Sequence, residues 1–308
     1  LNPSTGKYDS DEHCGFCNND CTKYWSPEIH HAVGGCNASL PFPECQLDHC
    51  LTEVDGGITY EWVNVNGDDF DGCECRRVLG NTTNDPPDVG PFPSPGAPYE
   101  DENCDGVDGV VAHALFVWGG NASAGTGTRT DPYQTIAQAL AALPSSGKRY
   151  ILVAEGTYTE NLVLRNGDQL YGGYASDFLS RDILLFSTLV QGVAPTSANQ
   201  RGTVTADNLG HTNAETIVSG FWILGRDVPA DTADNTNGAA SVAVYLRDCG
   251  PGVIVQNNLI RGGHGGPGGR GSTGASGYGQ QDSATLNGNG GLASVRVANG
   301  SCPSGLFR

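Results

Sequence analysis

The sequence has 308 residues, 34 acidic and 16 basic side chains, a formal net charge of −18, 45 glycines, 11 cysteines and no methionine. Such an acidic surface repels nucleic acid and anionic lipid and attracts divalent cations, so we exclude nucleic-acid binding. No apolar run approaches the ~18 residues of a membrane span, and residues 1–10 lack the apolar core of a signal peptide. We therefore expect a processed, exported chain without a membrane span.

Residues 1–79 form a cysteine-rich module with few long apolar runs. Dense cysteines in a short, loop-rich segment indicate a disulfide framework and an extracellular or cell-surface location. Zinc binding is the alternative, because Cys14-x-x-Cys17 resembles half a zinc site, and the odd total leaves one thiol free or bonded to another chain. The candidate disulfide cysteines are Cys14, Cys17, Cys21, Cys36, Cys45, Cys50, Cys73, Cys75, Cys104, Cys249 and Cys302.

Two motifs of this module resemble a repeat found in large exported bacterial surface proteins. They are the stretch from Cys14 to Cys21, CGFCNNDC, and residues 66–74, NGDDFDGCE. The resemblance implies a multi-module surface protein and carries little information about activity.

Residues 80–103 contain six prolines, which predicts an extended linker between domains. The next motif, DENCDGVD at 101–108, resembles the D-x-N-x-D-G metal-binding loops of exported bacterial proteins. Hard oxygen ligands at alternate positions suit calcium, although Ala112 occupies the position where an EF-hand has Glu. The predicted calcium ligands are Asp101, Asn103, Asp105 and Asp108, and a turn without an ion is the alternative.

Residues 104–308 are predicted to form a mainly β domain. Asp131 and Pro132 suggest the start of an amphipathic helix over Tyr133–Leu143, ended by Pro144 and Gly147. Short strands rich in Val, Ile and Leu follow, among them Thr216–Leu224, Gly252–Ile260 and Leu292–Val297. Because no helices alternate with these strands, a sandwich or a parallel β-solenoid remains.

A resemblance favours the solenoid. GTGT at 125–128, DPYQTIAQAL at 131–140 and VAEGTYTEN at 153–161 look like the start of exported right-handed parallel β-helix domains of the pectin-lyase-like superfamily. In those proteins the short helix caps the N-terminal end of the solenoid. The resemblance implies the same fold here, with a Gly-rich insertion at 262–291.

Many such β-helices act on polysaccharides, so catalysis requires a test against the residues. The acids Glu155, Glu160, Asp168, Asp177, Asp182, Asp207 and Glu215 are scattered singly, and the basic residues Arg165, Arg247 and Arg261 have no evident acidic partner set of the kind a lyase needs. Glycoside hydrolysis demands paired carboxylates, so we name no catalytic residue. We interpret His30, His31 and His49 as surface histidines, and transition-metal binding is the alternative.

The Gly-rich stretch places glycines at a strict period of three: Gly262, Gly265, Gly268, Gly271, Gly274 and Gly277. Six triplets with a single proline are too few for a collagen helix, and the flanking strands require the segment to return. We interpret this segment as a mobile loop or as a polyproline-II stretch that packs through its glycine face.

We therefore expect an extracellular structural or adhesive protein, without organic cofactor, that self-associates or binds other surface proteins. A filament or sheath subunit would assemble through the end of the solenoid and the Gly-rich insertion. The alternatives are a polysaccharide-binding or polysaccharide-degrading β-helix protein and a calcium-buffering surface-layer component.

Overall fold

The computed structural model describes residues 1–88, 99–229, 237–269 and 271. Its N-terminal part consists of short antiparallel strands. They are β1 (Asp9–Ser10), β2 (His13–Cys14), β3 (Ala32–Asn37), β4 (Glu44–Cys50), β5 (Thr52–Asp55), β6 (Ile58–Val63) and β7 (Cys75–Val78). β1 pairs with β2, β3 with β4, and β6 lies between β5 and β7. A 3-10 helix spans Cys21–Lys23.

Four disulfides hold this N-terminal part together: Cys14–Cys36, Cys21–Cys45, Cys50–Cys73 and Cys75–Cys104. Its core cluster contains only Trp25, Ala32 and Cys73 as buried members. A core this small needs covalent support, and each disulfide contributes on the order of 2–4 kcal/mol by restricting the unfolded chain. The predicted disulfide framework is therefore present for eight cysteines.

Two cysteines depart from that expectation. Cys17 is exposed and Cys249 is half-buried, and each is a free thiol among the described residues. Cys302 lies outside them. Cys14, Cys21 and Cys36 bring their sulfur atoms together because two disulfides lie side by side, so the thiolate ligands that zinc requires are already consumed.

From residue 114 onward the strands lie in three parallel sheets. Sheet A contains β8 (Ala114–Val117), β9 (Tyr150–Ala154), β12 (Gln169–Tyr174), β15 (Thr216–Ser219) and β18 (Val253–Gln256). Sheet B contains β10 (Gly156–Thr159), β13 (Thr188–Gln191), β16 (Phe221–Leu224) and β19 (Leu259–Arg261). Sheet C contains β11 (Leu162–Val163), β14 (Val204–Asp207) and β17 (Val244–Arg247). The prediction of a mainly β protein is confirmed.

The chain visits the sheets in a fixed order. From β9 onward, successive strands enter sheet A, then B, then C, and each return to a sheet adds a strand beside the previous one. Every pair in these sheets is parallel, as in Leu162 beside Val204 and Val204 beside Val244.

The main core lies between the three sheets because the register keeps apolar residues in line. Ile151, Leu170 and Val218 are partners in sheet A, and all three are buried. Tyr158, Val190 and Ile223 are the equivalent buried set in sheet B. A second cluster, which includes Phe116, Leu152 and Tyr171, covers the other face of sheet A. Sheet A is therefore buried on both faces, which its apolar strands require.

The only α-helix among the described residues, α1, spans Ile136–Ser146 and begins later than predicted. Thr135 is its N-cap and forms a capping box with Gln138. The carboxylate of Asp131, the predicted cap, instead accepts hydrogen bonds from Asn121 and Ser123 in the preceding loop. Pro144 lies inside the helix, whereas Gly147, at φ 72°, ends it as predicted.

Candidate cation site

The acidic loop at 101–108 joins the disulfide-rich part to the parallel sheets. Cys104 bonds to Cys75 on one side, and a 3-10 helix at Val111–His113 leads into β8 on the other. The Tyr174 hydroxyl donates to the carbonyl of Asp108 at 2.7 Å, which anchors the loop on sheet A. Gly106 turns the chain at φ 89°, a conformation that favours glycine.

Asp101 and Asp105 fold this loop on itself. The Asp101 carboxylate accepts the backbone amides of Asp105 at 3.3 Å and Gly106 at 2.8 Å. Asp105 Oδ2 accepts the Val111 amide at 2.8 Å, whereas its Oδ1 is buried without a hydrogen-bond partner. Burial raises the pKa of Asp105 to about 6, and the neighbouring Asp101 carboxylate contributes to the rise.

Asn103 and Asp85 form the most buried polar contact of the site. Asn103 is 0% exposed, and its Nδ2 donates to Asp85 Oδ2 at 3.3 Å and to the Gly109 carbonyl at 3.2 Å. Asp85 is 1% exposed and also accepts the Gly109 amide at 3.0 Å. Asn103 Oδ1 and Asp85 Oδ1 are both buried without partners.

The ionisation of Asp85 is strongly disfavoured. Burial raises the pKa of Asp85 to about 10, and the adjacent Glu102 carboxyl raises it further by hydrogen bonding and repulsion. Asp85 therefore carries a proton at neutral pH that a bound cation could replace. Sequence reasoning missed Asp85 because it belongs to the segment read as a linker, and no local pattern marks it as buried.

Asp108, the fourth predicted calcium ligand, has a different role. Its Oδ2 pairs with Arg181 Nη1 at 2.7 Å, and its Oδ1 accepts the Asp88 amide at 2.9 Å. Burial raises the pKa of Asp108 to about 6 even though Arg181 opposes the rise. Because both carboxylate oxygens are already engaged, the structure does not bring Asp108 into a shared calcium site.

Arg181 connects three parts of the chain. Its side chain is fully buried, Nε donates to the Gly172 carbonyl at 2.9 Å, and Nη1 also donates to the Asp88 carbonyl at 2.8 Å. The guanidinium lies over the Tyr99 ring at 4.4 Å. Arg181 therefore joins Asp88 and Tyr99 of the predicted linker to the parallel sheets, while residues 89–98 lie outside the described residues.

The donor set limits what ion could bind. Among the described residues, no three carboxylates place oxygens within 4.8 Å of one another. Calcium takes six to eight oxygen ligands, so an ion here would need the Asn103 amide, backbone carbonyls and water beside two carboxylates. Asp85, Asn103 and Asp105 each have a buried oxygen without a hydrogen-bond partner, and Glu102 lies next to Asp85.

Among the described residues, His30, His31 and His49 do not form a cluster with ligand atoms within 4.8 Å of one another. The His31 ring stacks on Trp62 with centroids 3.4 Å apart, and His30 Nδ1 accepts the Ser26 amide at 3.0 Å. His49 pairs with Asp48 at 2.8 Å. These contacts give each ring a structural partner.

The scattered acids also have structural partners, including some that the sequence did not suggest. Asp207 accepts Arg247 Nε at 2.8 Å, and Asp168 accepts Arg165 Nε at 3.2 Å. The Glu160 carboxylate accepts the first two amides of α1, which complements the helix dipole.

The described part of the Gly-rich stretch packs on the chain that precedes it. Gly263 and Gly266 approach the backbone most closely: a Cβ at Gly263 would lie 2.5 Å from the Gly225 and Arg226 carbonyl oxygens. Of the period-three glycines, Gly262 and Gly265 have more room, and Gly271 has nothing within 4 Å. Gly274 and Gly277 lie outside the described residues. The close approaches therefore fall at Gly263 and Gly266, one position after Gly262 and Gly265 of the predicted set.

Comparison with known proteins identifies a family. Residues 118–296 match a family described as "Protein of unknown function (DUF1565)", a region that covers more than half of the chain. The family is associated with β-helix proteins. No curated protein and no solved structure matches the chain. Within the described residues, no helix combines the length and apolar character needed to cross a bilayer.

Proposed function

This chain belongs to the DUF1565 family of proteins of unknown function, and we propose that it is an extracellular structural or adhesive surface protein. Its parallel sheets form a right-handed β-helix that serves as a scaffold, and the disulfide-rich part is a surface-protein module attached to it. It self-associates or binds other surface proteins, as a filament or sheath subunit does.

The strand order supports the β-helix. Three sheets are visited cyclically, and equivalent positions in sheet C are 42 and 40 residues apart at Leu162, Val204 and Val244. Parallel connections of this kind are right-handed in about 98% of known cases. α1 packs against β8 and β9 near the first turn, which agrees with a cap at the N-terminal end.

The observation that carries the structural role is that several charged side chains form ion pairs and hydrogen bonds within the fold. Arg181 and Asp108 join the acidic loop to the sheets, Glu160 caps α1, and Asp207 pairs with Arg247 across neighbouring strands. Five clefts among the described residues are each lined by at most one carboxylate. A scaffold uses its charges in this way, whereas a glycoside hydrolase needs a free carboxylate pair.

The four disulfides support an oxidising, extracellular location. Structural disulfides persist in secreted and cell-surface proteins and are rare in the cytosol. The exposed apolar side chains Leu246, Leu259 and Ile260 on the last described strands add a surface suited to protein contacts.

Sedimentation and electron microscopy of the purified chain test the structural role. We expect higher species or fibres, and no new reducing ends or unsaturated products after incubation with acidic and neutral polysaccharides. A monomer at every protein and calcium concentration, together with sugar products, would contradict the proposal.

Calcium is the cofactor included in this proposal, and it binds at Asp85, Glu102 and Asn103. The ion would neutralise the two adjacent carboxyls and occupy the buried oxygens that lack partners. Because Asp85 is protonated at neutral pH, calcium binding should release a proton. Calorimetry in buffers of different ionisation enthalpy measures this release.

Asp85→Asn is the matched variant for the calcium site, since the amide keeps the shape of the protonated carboxyl. We expect its melting temperature in chelator to stay near that of the wild type. Its calcium-induced stabilisation should be lost. If the variant retains the full calcium response and the proton release, the ion does not bind at Asp85.

A second candidate function is the binding of acidic polysaccharide. Arg201 and Arg226 line one polar cleft together with Asn161, Gln200 and Thr203. Two guanidinium groups in one cleft of a protein with net charge −18 favour a carboxylated sugar as ligand. Polygalacturonate should retard the chain in affinity electrophoresis, Arg201→Ala with Arg226→Ala should abolish the retardation, and Lys7→Ala, far along the chain, should not.

A further inference from the structure

A cleft of about 500 Å³ lies between the start of the predicted linker and sheet A. This volume falls within the roughly 300–1,000 Å³ that is usual for small-molecule sites. Residues 83–87 line the cleft together with residues that lead into, or belong to, β8, β9 and β12. The cleft therefore combines parts of the chain that are far apart in sequence and exists only in the folded protein.

Three basic side chains line this cleft: His113, Lys148 and Arg149. Lys148 and Arg149 directly precede β9, and the Arg149 amide donates to the His113 carbonyl at 2.8 Å. This bond extends the parallel register of β8 with β9 by one position, since Ala114 pairs with Tyr150. Neighbouring strands lie about 4.8 Å apart, so His113 and Arg149 lie side by side.

The two permanent cations have no acidic partners to neutralise them. Among the residues that the structure describes, neither Lys148 nor Arg149 forms an ion pair. The Lys148 ammonium instead donates to the Ala112 carbonyl at 2.7 Å. Of the described residues that line the cleft, Asp85 alone has a carboxyl group, and its pKa of about 10 leaves it uncharged at neutral pH. The cleft is therefore positively charged in a chain whose net charge is −18.

His113 responds to this positive charge. Burial lowers the pKa of His113, and the charges of Arg149 and Lys148 lower it further. Because both charges act on one imidazole ring, the three basic groups lie close together. An anion bound among them would relieve their mutual repulsion.

The segment 83–87 supplies the groups that complete the cleft. Thr83 and Asn84 bring a hydroxyl and an amide, which hydrogen-bond to uncharged polar groups of a ligand. Pro86 and Pro87 add an apolar surface. A ligand that matches these walls has one anionic group on a small body.

We propose that this cleft binds a small oxyanion ligand, whose carboxylate or phosphate group contacts Arg149, Lys148 and His113. A guanidinium group pairs with either oxyanion through two parallel hydrogen bonds. Free phosphate and a uronic acid monosaccharide share this chemistry. The proposal goes beyond the structural role, and it requires neither the calcium site nor the cleft lined by Arg201 and Arg226.

Calorimetric titration of the full chain tests the site, in chelator and at low ionic strength, where screening is weak. The probes are inorganic phosphate, glucuronate and, as the uncharged comparison, glucose. We expect saturable binding of phosphate, glucuronate or both, with one site per chain and no response to glucose. Binding of one oxyanion alone identifies which source the cleft accepts. A response to neither oxyanion, or glucose binding as tight as that of glucuronate, would overturn the proposal.

Variants of Arg149 test whether its guanidinium group holds the ligand. Arg149→Ala should weaken binding at least about tenfold, as expected for the loss of a charge-assisted hydrogen bond. Arg149→Lys should weaken it less, because the charge remains and only the fork is lost. Arg149 is exposed, so the melting temperature without ligand should stay near that of the wild type. Lys7→Ala, at an exposed lysine near the N-terminus, is the control, and an equal loss in this variant would contradict the site.

A second pair of variants locates the ligand, because Lys148 and Arg149 also line an adjoining cleft. His113 lines only the proposed cleft, and Pro144 lines only the adjoining one. His113→Ala should weaken oxyanion binding, whereas Pro144→Ala should not. The reverse pattern would overturn the proposal. Arg201→Ala with Arg226→Ala should leave phosphate and glucuronate binding unchanged, so this test is separate from that of the polysaccharide cleft.

Discussion

Asp105→Asn should make the protein more stable at neutral pH in the presence of a chelator. The Asn side chain keeps the oxygen that accepts the Val111 amide but cannot ionise. In the wild type, the folded chain must carry a buried carboxylate whose Oδ1 has no hydrogen-bond partner. The variant removes the cost of ionising that group.

The magnitude follows from the pKa of Asp105. Its folded value of about 6 lies roughly 2 units above its usual 3.8, which corresponds to about 3 kcal/mol. Because the side chain is only partly buried, solvent screening reduces the expected gain to about 1–2 kcal/mol. The sign is set by the folded state, which binds the proton more tightly than the unfolded state does.

The wild type should therefore lose this contribution as pH rises from about 4 to 6, whereas Asp105→Asn should not. Urea unfolding at pH 4, 5, 6 and 7 in chelator measures the difference, which should be near zero at pH 4 and largest at pH 7. Asp248→Asn, at an exposed carboxylate, is the control. If Asp105→Asn is less stable than the wild type at pH 7, or the difference does not change with pH, the buried charge is not destabilising.

Three further changes test the packing of charges and backbone. Arg181→Met should reduce the free energy of unfolding by about 3–5 kcal/mol at pH 7.5, since it leaves the Asp108 carboxylate buried without its ion-pair partner. The loss measured by chemical denaturation should be smaller at pH 5, where Asp108 can take a proton. An equal loss at both pH values would contradict the ion pair. Gly263→Ala should cost about 1–3 kcal/mol because its Cβ would overlap backbone carbonyls, whereas Gly262→Ala should be near neutral in the same thermal melts. The reverse order would contradict the observed contact. Glu160→Gln should cost about 0.5–1 kcal/mol at low salt and less at 1 M salt, and a salt-independent loss would argue against a charge effect on α1.

Local sequence signals predicted several elements correctly because their causes are local. The apolar run Thr216–Leu224 becomes β15 and β16, separated at Gly220 by a turn of φ 85°. Gly147 ends α1 in the left-handed conformation that glycine tolerates. The predicted start of α1 was wrong because Asp131 and Thr135 are both residue types that cap helices. Thr135 is the N-cap, whereas the Asp131 side chain bonds to the preceding loop.

The candidate site was only partly predictable. The acidic loop was recognised from its spacing of oxygen ligands, but the pairing of Asp108 with Arg181 joins residues that are 73 positions apart. Asp85 is buried because Asn103 and Gly109 close over it. These contacts cannot be predicted from residue type or from neighbours in the sequence.

The sequence by itself determined the class of structure. Cysteine density specified a disulfide framework, and short apolar strands separated by Gly, Asn and Asp specified a β protein. Only the tertiary structure decided which cysteines pair, which carboxyls are buried and which arginines have acidic partners. Stacking successive layers brings residues about 40 positions apart into contact, as in Arg247 with Asp207. Burial in the folded chain then raises the pKa of carboxyl groups such as Asp85.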